Sequence, residues 1–382
     1  MRVLILHSRY RSGSVSGENR VVADEEVLLR RGGHDVHIWT PTPLGERLVD
    51  QARAGVDVMW SPRAVRELRR LIVEHRPEVV HVHNLFPALS PAVVRVASRA
   101  RLPVVVSLHN YRLACLPATF LRNGRICEAC LGRLPWRGAL YGCYRDSRAA
   151  SSALASSLTL HRWLGTFDDV TLFLAVSRFV QEKHIEAGIQ GDRIRVKPNF
   201  AWPSQRRIEA GNYLLYLGRL SAEKGITALA SAWAPGSGKL LIVGSGPDGE
   251  RLRAMASENV EVRQPVPPSR VPRLLRGARA LLVPSLCYEG APRGVIEAYA
   301  AGVPVVASRI GALAELVEDD VSGLLLPPGD QAAWIDGVKR LLDDGEADRL
   351  GRGALALWER DYTPERGLER LEDAYRDAMA TV

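Results

Sequence analysis

The sequence predicts two α/β domains, each built around a parallel β-sheet. The chain has 382 residues, which exceeds the size of one ordinary hydrophobic core and suits two domains of ordinary size. Short apolar runs typical of buried strands alternate along the chain with amphipathic stretches typical of helices. A strand–helix–strand order of this kind is characteristic of parallel sheets, so the fold class is α/β.

The composition is that of a globular protein, with 46% hydrophobic and 25% charged residues. No apolar run reaches the roughly 18 residues that a membrane-spanning helix requires. The apolar run Val3–Leu6 is too short for the core of a signal peptide and lacks a small-residue cleavage site. We therefore expect a cytoplasmic protein.

Positive charge is concentrated in the first 200 residues, which hold 29 Lys and Arg against 18 Asp and Glu. A basic half can bind an anionic acceptor, a polyphosphate lipid or a membrane surface. The alternative is a compositional preference for Arg, because only five of the 51 cations are Lys. The charge is not interleaved with base-stacking aromatic residues, so nucleic acid is not an expected partner.

The first half begins as a βαβ unit. We predict a strand over Val3–His7, an amphipathic helix over Arg20–Arg31 that stops at Gly32, and a second strand over Asp35–Trp39. Residues 8–19 form a loop of mainly small and polar residues before the helix, where a phosphate or a sugar can approach the backbone. The loop lacks Gly-x-Gly-x-x-Gly, and no acidic residue ends the second strand, so this is not a dinucleotide site.

Two later strands of the first half carry histidines. His81 and His83 alternate along the strand Val79–His83, and His109 directly follows the strand Val104–Leu108. Ligands bind at the carboxyl ends of strands in open α/β sheets, so His109 is a candidate site residue. We interpret His81 and His83 as packed residues.

Four cysteines follow, namely Cys115, Cys127, Cys130 and Cys143. The spacing Cys-x11-Cys-x2-Cys-x12-Cys suits a tetrahedral Zn²⁺ site in a cytosolic protein better than disulfides, although a second Cys-x2-Cys pair is lacking. Disulfides and reduced thiols packed in a loop are the alternatives. Residues 91–150 also hold ten Arg and only two acidic residues, so we expect this insertion, 111–150, to line the acceptor side of a cleft.

The second half opens with a strand over Tyr213–Leu217, which runs into Gly-Arg-Leu-Ser-Ala-Glu-Lys-Gly and a helix that begins near Ile226. Arg219 offers a fork of donors to a phosphate, and Lys224 offers a compact charge. Five residues apart around a loop, the two can hold one diphosphate from two sides. The alternative is an ordinary charged loop between a strand and a helix.

The stretch from Pro284 to Gly302 combines a strand end, a loop and a helix. Glu289 lies in the loop, and the helix opens at Pro292, because the fixed φ of proline suits the first helical position. The free N–H groups and the dipole at a helix N-terminus form a place for phosphate. Glu289 and Glu297 are too far apart along this stretch for a close acid/base dyad, so we expect them to hold different parts of one long ligand.

The pair Glu289-x7-Glu297, with its surrounding Glu-Gly-x-Pro and Glu-Ala, resembles the signature of retaining glycosyltransferases of the GT-B fold, in particular family 4. The Gly-Arg-Leu-x-x-Glu-Lys-Gly loop is a second strong match, and similar four-Cys insertions occur in a subset of that family. The similarity covers nearly the whole chain and is densest at 213–330. It implies two facing Rossmann-like domains with parallel sheets and a C-terminal helix that crosses back to the first domain.

The resemblance also implies roles for individual residues. The catalytic group comprises Glu289 and His109 near the donor sugar, and Arg219 and Lys224 on the donor diphosphate. Glu297 binds the ribose hydroxyls. The other implied donor-binding residues are Gly290, Ala291, Pro292 and Arg293 at the helix N-terminus, Gly244, Gly246 and Val266 near the nucleotide, and Gly17 in the first loop.

Two glycine-containing motifs belong to this set. A Gly-x-Gly-x-x-Gly at Gly244 and Gly246 is weak evidence for a dinucleotide site by itself, and the resemblance makes it a loop beside the nucleotide. We expect Val262–Val266 to run past the base. Gly17 keeps one glycine of the family's Gly-Gly-x-Glu, whereas Ser16 and Asn19 depart from that pattern and leave the acceptor open.

The resemblance suggests a domain organisation with boundaries near a linker at 198–204. An N-terminal acceptor-binding domain covers 1–204 and includes the insertion at 111–150. A nucleotide-sugar-binding domain covers 205–360, and a crossover helix covers 361–382.

The implied function is a retaining hexosyltransferase. It would move a sugar from a UDP- or GDP-linked donor to a hydroxyl of a glycan, lipid-linked or small-molecule acceptor, with peripheral association at the inner membrane face. Because Arg219 and Lys224 would neutralise the departing diphosphate, we expect metal-independent catalysis, and structural zinc is the only metal expected. The alternatives are a non-catalytic nucleotide-binding scaffold of a glycan-assembly complex, another GT-B enzyme such as a nucleotide-sugar epimerase or a phosphorylase, and, more distantly, a dehydrogenase.

Overall fold

The computed structural model describes residues 1–9, 17–41, 55–207 and 209–382. These residues divide into two compact units. The first unit contains Met1–Phe120, Glu128–Pro198 and Gly367–Val382, and the second contains Leu121–Cys127 and Asn199–Arg366. The boundaries expected at 204 and 360 stay predictions.

The first unit is built on a six-stranded sheet in the order β2-β1-β3-β4-β7-β8, and all its pairings are parallel. The strands are β1 (Arg2–His7), β2 (Asp35–Trp39), β3 (Val79–Asn84), β4 (Val104–Leu108), β7 (Leu172–Ala175) and β8 (Ile194–Val196). β3 and β4 are buried along their whole length. Strands covered on both faces read as nearly continuous apolar runs, which is why the sequence marks them clearly.

Helices lie between these strands. They are α1 (Gly17–Arg31), α2 (Pro62–His75), α3 (Ala92–Arg99), α4 (Trp136–Leu140), α5 (Arg148–Trp163) and α6 (Arg178–Glu186), with further helical residues at 55–59 and a 3-10 turn at Gly191–Arg193. The start of α2 shows why the sequence folds this way locally. The Ser61 hydroxyl accepts a hydrogen bond from the backbone N–H of Ala64, and Pro62 occupies the first helical turn.

The second unit has its own six-stranded parallel sheet, in the order β11-β10-β9-β12-β13-β14. The strands are β9 (Tyr213–Leu217), β10 (Leu240–Val243), β11 (Val260–Arg263), β12 (Ala278–Val283), β13 (Val305–Ser308) and β14 (Gly323–Leu326). Alternate residues of β10 enter different cores: Leu241 and Val243 pack in one cluster, and Leu240 and Ile242 pack in the other. This two-sided burial is typical of a doubly wound sheet.

The helices of this unit connect its strands. They are α7 (Ile226–Ser231), α8 (Gly249–Ala254), α9 (Val271–Arg276), α10 (Arg293–Ala300), α11 (Leu313–Leu316), α12 (Gln331–Arg340) and α13 (Asp344–Asp361), with 3-10 turns at Ala222–Lys224 and Pro268–Arg270. A two-stranded hairpin, β5 (Leu121–Arg122) with β6 (Arg125–Ile126), is grouped with this unit.

The last helix, α14 (Pro364–Thr381), ends in the first unit. The Tyr375 hydroxyl lies 2.8 Å from Nδ1 of His81, and Glu372 lies 2.9 Å from Nε2 of His34. The predicted return of the C-terminal helix to the first domain is therefore confirmed. No helix in the described ranges is long and apolar enough to cross a bilayer.

The start of one predicted helix needs correction. The helix expected to open at Pro292 begins at Arg293, and Pro292 is its N-cap. The stretch Val262–Val266, which we expect to run past the base, begins with the last two residues of the strand Val260–Arg263. This strand ends before Pro265 because proline cannot donate a hydrogen bond to the sheet ladder.

Candidate active site

In the first unit, the carboxyl ends of β3 and β4 border an open cavity with about 360 Å³ of empty space. Its lining includes His83 and Asn84 from β3, and His109, Asn110 and Arg112 from the segment after β4. His109 is partly exposed there. His109 therefore lies at the end of a strand, as predicted, and borders this open depression, whereas its role stays a prediction.

His109 is bonded to a histidine of the neighbouring strand. Nε2 of His109 lies 2.9 Å from Nδ1 of His83, and the two rings are stacked. Nε2 of His83 lies 3.5 Å from a carboxylate oxygen of Glu25 in α1, and Glu25 is ion-paired with Lys197. Glu25, Lys197 and His83 all lie in the interior of the unit.

Burial dominates the acid–base properties of these histidines. It lowers the pKa of His83 well below its ordinary value, and nearby His81 and His109 lower it further. Burial, with smaller effects from Lys197 and His7, lowers the pKa of His109 to about 3. Both rings are therefore neutral near pH 7 and act through hydrogen bonds rather than through positive charge.

Most of the small-residue loop before α1, at 10–16, lies outside the described residues, so Ser16 is not placed. Gly17 is the exposed first residue of α1. The next two residues point back to the sheet: Glu18 accepts a hydrogen bond of 2.6 Å from the side-chain amide of Asn110, and the Asn19 amide oxygen lies 2.7 Å from Nε2 of His7. Asn19 thus takes part in the first unit's polar network although it departs from the family pattern.

In the second unit, the loop after β9 presents the two predicted diphosphate-binding cations differently. The Arg219 side chain is exposed and has no ion-pair partner in the described part of the chain. Nζ of Lys224 lies 2.6 Å from Oε1 of Glu289, which also accepts a 2.5 Å hydrogen bond from the Ser285 hydroxyl. Two motifs that are 65 residues apart in the sequence are therefore joined through their charged residues.

The backbones of these two motifs also touch. Gly225 has φ of +71°, and a Cβ atom built on it would lie 1.9 Å from the carbonyl oxygen of Pro284. The backbone N–H of Leu286 donates to the carbonyl of Glu223 at 2.8 Å. Only glycine combines this left-handed conformation with such a close approach, so Gly225 allows the Lys224–Glu289 contact.

Burial and nearby carboxylates act in opposite directions on Lys224. Burial, the largest effect, lowers the pKa, but the carboxylates of Glu289 and Glu223 raise it above the ordinary value. The lysine is therefore fully charged near neutral pH. Burial raises the pKa of the neighbouring Cys287 thiol to about 12, so this cysteine stays protonated and unreactive.

The N-terminus of α10 contains the remaining predicted donor-binding residues. Pro292 is the N-cap, Arg293 is the first helical residue, and Nε of Arg293 lies 2.7 Å from Oε1 of Glu297 one turn later. The side-chain amide of Asn199 donates to the carbonyl of Ala291 at 3.3 Å and anchors the loop. Gly290 and Ala291 are partly buried in this loop.

The Gly-x-Gly loop after β10 packs tightly against the loop after β9. A Cβ atom on Gly244 would lie 1.9 Å from the carbonyl oxygen of Gly218, and one on Gly246 would lie 2.2 Å from that of Leu220. Close packing alone therefore requires glycine at both positions, in addition to the role predicted for them near the nucleotide. Val266 packs against the apolar core of the second unit.

The four cysteines predicted as zinc ligands have different surroundings. Cys115 is buried, whereas Cys127, Cys130 and Cys143 are partly exposed. All cysteines of the chain, including the buried Cys287, fall within the described ranges, and none of them forms a disulfide. The disulfide alternative is therefore not what the structure shows.

The expected convergence of Cys115, Cys127, Cys130 and Cys143 on one zinc ion stays a prediction. Among the residues that the structure describes, the one trio of metal-type ligand atoms within 4.8 Å of one another is Glu25, His81 and His83. Neither Cys130 nor Cys143 completes such a trio with the other thiols. The buried Cys115 sulfur is hydrogen-bonded to backbone N–H groups of its own loop.

Comparison with known families agrees with this architecture. Residues 16–199 match the family described as glycosyl transferase 4-like domain, and residues 211–344 match the family described as glycosyl transferases group 1. The chain belongs to the family 4 glycosyltransferases. This confirms the resemblance drawn from Glu289-x7-Glu297, and with it the enzyme class, a hexosyltransferase.

Curated relatives of this glycosyltransferase cover most of its length. It is 32% identical to a D-inositol 3-phosphate glycosyltransferase of Acidothermus cellulolyticus, over 79% of this chain and 68% of the relative. It is 29% identical to a phosphatidyl-myo-inositol mannosyltransferase of Mycobacterium leprae, over 82% of this chain and 80% of the relative.

Solved structures confirm the GT-B fold of this glycosyltransferase. A sucrose-phosphate synthase of Thermosynechococcus elongatus aligns with a TM-score of 0.71 at 18% identity, over 100% of both chains. Anabaena HepE, solved in complex with UDP-glucose, aligns with a TM-score of 0.66 at 17% identity, over 98% of both chains.

Sequence reasoning missed several residues of the polar networks. His83 was interpreted as a packed residue, yet it is the hydrogen-bond partner of His109. Glu25, Lys197 and Asn199 were not considered. The sequence held part of the evidence for these residues. Glu25 is a charged residue on the apolar face of α1, which is unusual for a purely structural position. The same holds for Lys197 and Asn199 at the end of a strand.

Proposed function

We propose that this glycosyltransferase moves a hexose, with retention of anomeric configuration, from a nucleoside-diphosphate sugar to a hydroxyl acceptor. The observation that carries the proposal is the Lys224–Glu289 contact, which joins the two signature motifs of the second unit. A diphosphate would take Arg219 and Lys224 as its cations, and the N-terminus of α10 would add its dipole. Glu297 would bind the ribose hydroxyls, and Glu289 would orient the sugar.

The proposed chemistry is a displacement on one face of the sugar. The bond from the anomeric carbon to the leaving phosphate oxygen breaks, and the acceptor hydroxyl oxygen attacks from the same side. The leaving phosphate oxygen takes the hydroxyl proton. Arg219 and Lys224 stabilise the charge that develops on the diphosphate, and fixed cations of this kind need no reorganisation during the reaction.

Two relatives support the acceptor part of the proposal. One is named for D-inositol 3-phosphate and the other for phosphatidyl-myo-inositol. Both names describe acceptors that combine hydroxyl groups with a phosphate. The excess of Arg in residues 91–150 would attract an anionic acceptor of this class, and the complex of Anabaena HepE with UDP-glucose supports a UDP-linked donor.

The proposal includes peripheral binding to a membrane that carries a lipid-linked acceptor. Around α4 and the end of α5, large apolar side chains are exposed, namely Leu134, Trp136, Leu140, Tyr141 and Trp163. Trp and Leu side chains near Arg residues are typical of surfaces that bind anionic lipid. Sedimentation with anionic vesicles, compared between the native protein and Trp163→Ala, tests this part.

The matched control for the vesicle experiment is Val73→Ala, because Val73 is an equally exposed apolar residue on α2. We expect Trp163→Ala to reduce vesicle binding and Val73→Ala to leave it unchanged. Equal binding by the native protein and both variants, or no binding to anionic vesicles, would limit the acceptor to molecules in solution.

The central experiment measures thermal unfolding with UDP, GDP, dTDP, ADP and NAD. A ligand that binds only the folded state stabilises by about 2.7 kcal/mol at a hundredfold excess over its Kd. We expect one nucleoside diphosphate to raise the Tm of the native protein but not of Lys224→Ala or Glu297→Ala. Lys239→Ala is the control, because Lys239 is exposed and pairs with Glu261 outside the proposed site.

The outcomes separate the rival functions. A shift with NAD alone would favour a dehydrogenase. A nucleoside diphosphate shift without transfer to any hydroxyl acceptor would favour the nucleotide-binding scaffold. Transfer with inversion, observed by NMR of the product's anomeric centre, would contradict the retaining mechanism.

The zinc prediction is the remaining part of the proposal. Burial raises the pKa of the Cys115 thiol to about 11, while backbone N–H groups of its loop act in the opposite direction and favour a thiolate, the form that binds a metal. One zinc per chain in the purified protein would support the prediction. Metal analysis that finds no zinc, with every thiol titrated after unfolding, would contradict it.

A further inference from the structure

Next to His109, side chains from separate parts of the first unit form a continuous buried chain. The Lys197 ammonium pairs with Glu25, the second oxygen of that carboxylate lies 3.5 Å from Nε2 of His83, and Nδ1 of His83 lies 2.9 Å from Nε2 of His109. Lys197, Glu25 and His83 are each at most 3% exposed at the side chain. Nε2 of His83 and the facing oxygen of Glu25 are buried and make no hydrogen bond, so the carboxylate acts on this ring nitrogen through its charge.

A metal ion is the first alternative explanation, because ligand atoms of Glu25, His81 and His83 converge. Both ring nitrogens of His81 are already engaged, however, Nδ1 with the Tyr375 hydroxyl and Nε2 with a serine hydroxyl, each at 2.8 Å. The Glu25 carboxylate faces the buried Lys197 ammonium, which would repel a cation. The contacts therefore favour a network that orders protons.

The charge of Glu25 decides which nitrogen of His83 carries the proton. An N–H group at Nε2 directs its positive end at the carboxylate, whereas a lone pair there would face a negative oxygen and be repelled. With its proton on Nε2, neutral His83 can only accept a hydrogen bond at Nδ1. His109 then has to donate from Nε2, and its own Nδ1 keeps a lone pair.

We infer that Glu25 and His83 are positioning residues that hold His109 as the Nε2–H tautomer, with Nδ1 as a hydrogen-bond acceptor at the cavity. This tautomer has a consequence that rests on the proposed function. The ligand group that meets Nδ1 must be a donor. A sugar hydroxyl is such a group, whereas an ionised phosphate or carboxylate is not, so this nitrogen selects the hydroxylated part of the ligand.

The first test is the tautomer of His109 in the native full-length protein, measured by NMR with ¹⁵N-labelled histidine. Two buried histidines are internal references: His184 donates from Nδ1 to the carbonyl of Val180, and His161 donates from Nε2 to the carbonyl of Met59. The ¹⁵N signals of His109 are assigned by their absence in His109→Gln. We expect these signals to show a proton on Nε2, as those of His161 should. Signals that show the His109 proton on Nδ1, as expected for His184, would overturn the inference.

The second test removes the Glu25 charge, which we infer sets the positions of the protons on His83 and His109. In Glu25→Gln combined with Lys197→Met, both buried charges are absent, and the His109 spectrum should change to a mixture of tautomers. An unchanged His109 spectrum in a folded double variant would overturn the role of Glu25.

The third test separates positioning from general stability. We expect His83→Phe to lower turnover about tenfold while the nucleoside diphosphate Kd stays within about twofold, as for the loss of one oriented hydrogen bond. His83→Asn, whose amide oxygen can accept from Nε2 of His109, should recover most of the turnover. Equal turnover in His83→Phe and the native protein would overturn the inference.

These tests also distinguish a failure of the inference from a failure of the proposed function. If no nucleoside diphosphate binds but His109 shows the Nε2–H tautomer, the proposed function fails and the proton order stands. If a nucleoside diphosphate binds and His109 shows the other tautomer, the inference fails alone.

Discussion

Nζ of Lys224 lies 2.6 Å from Oε1 of Glu289, so one charged residue of each signature motif is paired with one of the other. Arg219, in the same loop as Lys224, is exposed. Among the described residues no carboxylate pairs with its guanidinium. Under the proposed function, a diphosphate would compete with Glu289 for the Lys224 ammonium, whereas the exposed Arg219 would be directly available to it. Glu289 would then be released toward the sugar.

Glu289→Gln should separate binding from catalysis. Because Lys224 loses its competing carboxylate, we expect the nucleoside diphosphate to bind as tightly as before or up to about tenfold more tightly. We expect transfer to fall about a hundredfold, because the group that orients the sugar has lost its charge. Calorimetry and an acceptor assay measure the two effects, with the exposed Glu250→Gln as the control. Weaker nucleotide binding in Glu289→Gln would show that the pair does not compete with the ligand.

Arg219→Ala should weaken nucleotide binding without affecting folding. The side chain is exposed and unpaired within the described ranges, so its removal leaves no buried partner unsatisfied. We expect the Kd for the nucleoside diphosphate to rise about tenfold or more, since a charge-assisted bond to phosphate is worth roughly 1.5–3 kcal/mol. Arg251→Ala, an exposed arginine of α8, should leave both Kd and Tm unchanged. Equal affinity in the two variants would remove Arg219 from the proposed site.

Most of the framework could be predicted because buried parallel strands leave a local signal. Tyr213–Leu217 is an apolar run between turn residues, and the structure has this strand at the predicted bounds. The second unit's loops were also predictable, because Arg219 and Lys224 lie in one short motif. The Lys224–Glu289 contact was not, since it depends on how two loops 65 residues apart come together.

The network behind His109 lay beyond sequence reasoning for a similar reason. His81 and His83 are two residues apart on β3, and alternation alone predicts packing for both. Their partners come from elsewhere: His109 follows the next strand, Glu25 lies on α1 and Tyr375 lies on the last helix. A periodic pattern indicates which face of an element is buried, but it does not show which distant polar groups meet there.

The cysteine spacing shows the same limit. The interval between Cys127 and Cys130 is typical of a metal-binding turn, but spacing along the chain does not fix where the thiols of Cys115 and Cys143 point. The structure buries Cys115 and leaves Cys130 and Cys143 partly exposed. Loop conformation, which the spacing does not encode, therefore decides whether four such thiols meet.

Gly225→Ala should destabilise the second unit strongly. The residue has φ of +71°, and a Cβ atom would lie 1.9 Å from the carbonyl oxygen of Pro284. Alanine in the left-handed region costs about 1–2 kcal/mol, and the clash with a backbone atom adds roughly 1–3 kcal/mol. Gly236→Ala is the matched control, because Gly236 has φ of +88° and nothing within 4 Å of its Cβ position.

The difference between these two variants isolates the clash. Denaturant unfolding, followed by a probe in the second unit, should show a larger loss for Gly225→Ala than for Gly236→Ala. We also expect Gly225→Ala to bind nucleoside diphosphate poorly, because the two loops are pushed apart. Equal losses of stability in both variants would show that the loops can separate at no cost.

The stability of the protein should fall with acid between pH 6.5 and about 4. Burial lowers the pKa of His184 from 6.5 to about 4 and that of His109 to about 3, and it lowers the values of His81 and His83 as well. These folded-state values lie below the unfolded ones, so the unfolded chain binds more protons as the pH drops below 6.5. Each histidine then removes up to about 1.4 kcal/mol of stability per pH unit.

His184 provides the test, because its ring is fully buried and donates from Nδ1 to the carbonyl of Val180. In His184→Gln the free energy of unfolding, measured with denaturant from pH 7 to pH 4, should decrease less steeply with acid than in the native protein. Val73→Ala, which changes an exposed apolar residue of α2 and removes no titratable group, should keep the native slope. A lower overall stability of His184→Gln leaves the comparison intact, because the slope reports bound protons and the intercept reports packing. An identical slope in His184→Gln and the native protein would mean that His184 binds a proton equally well in the folded and unfolded states.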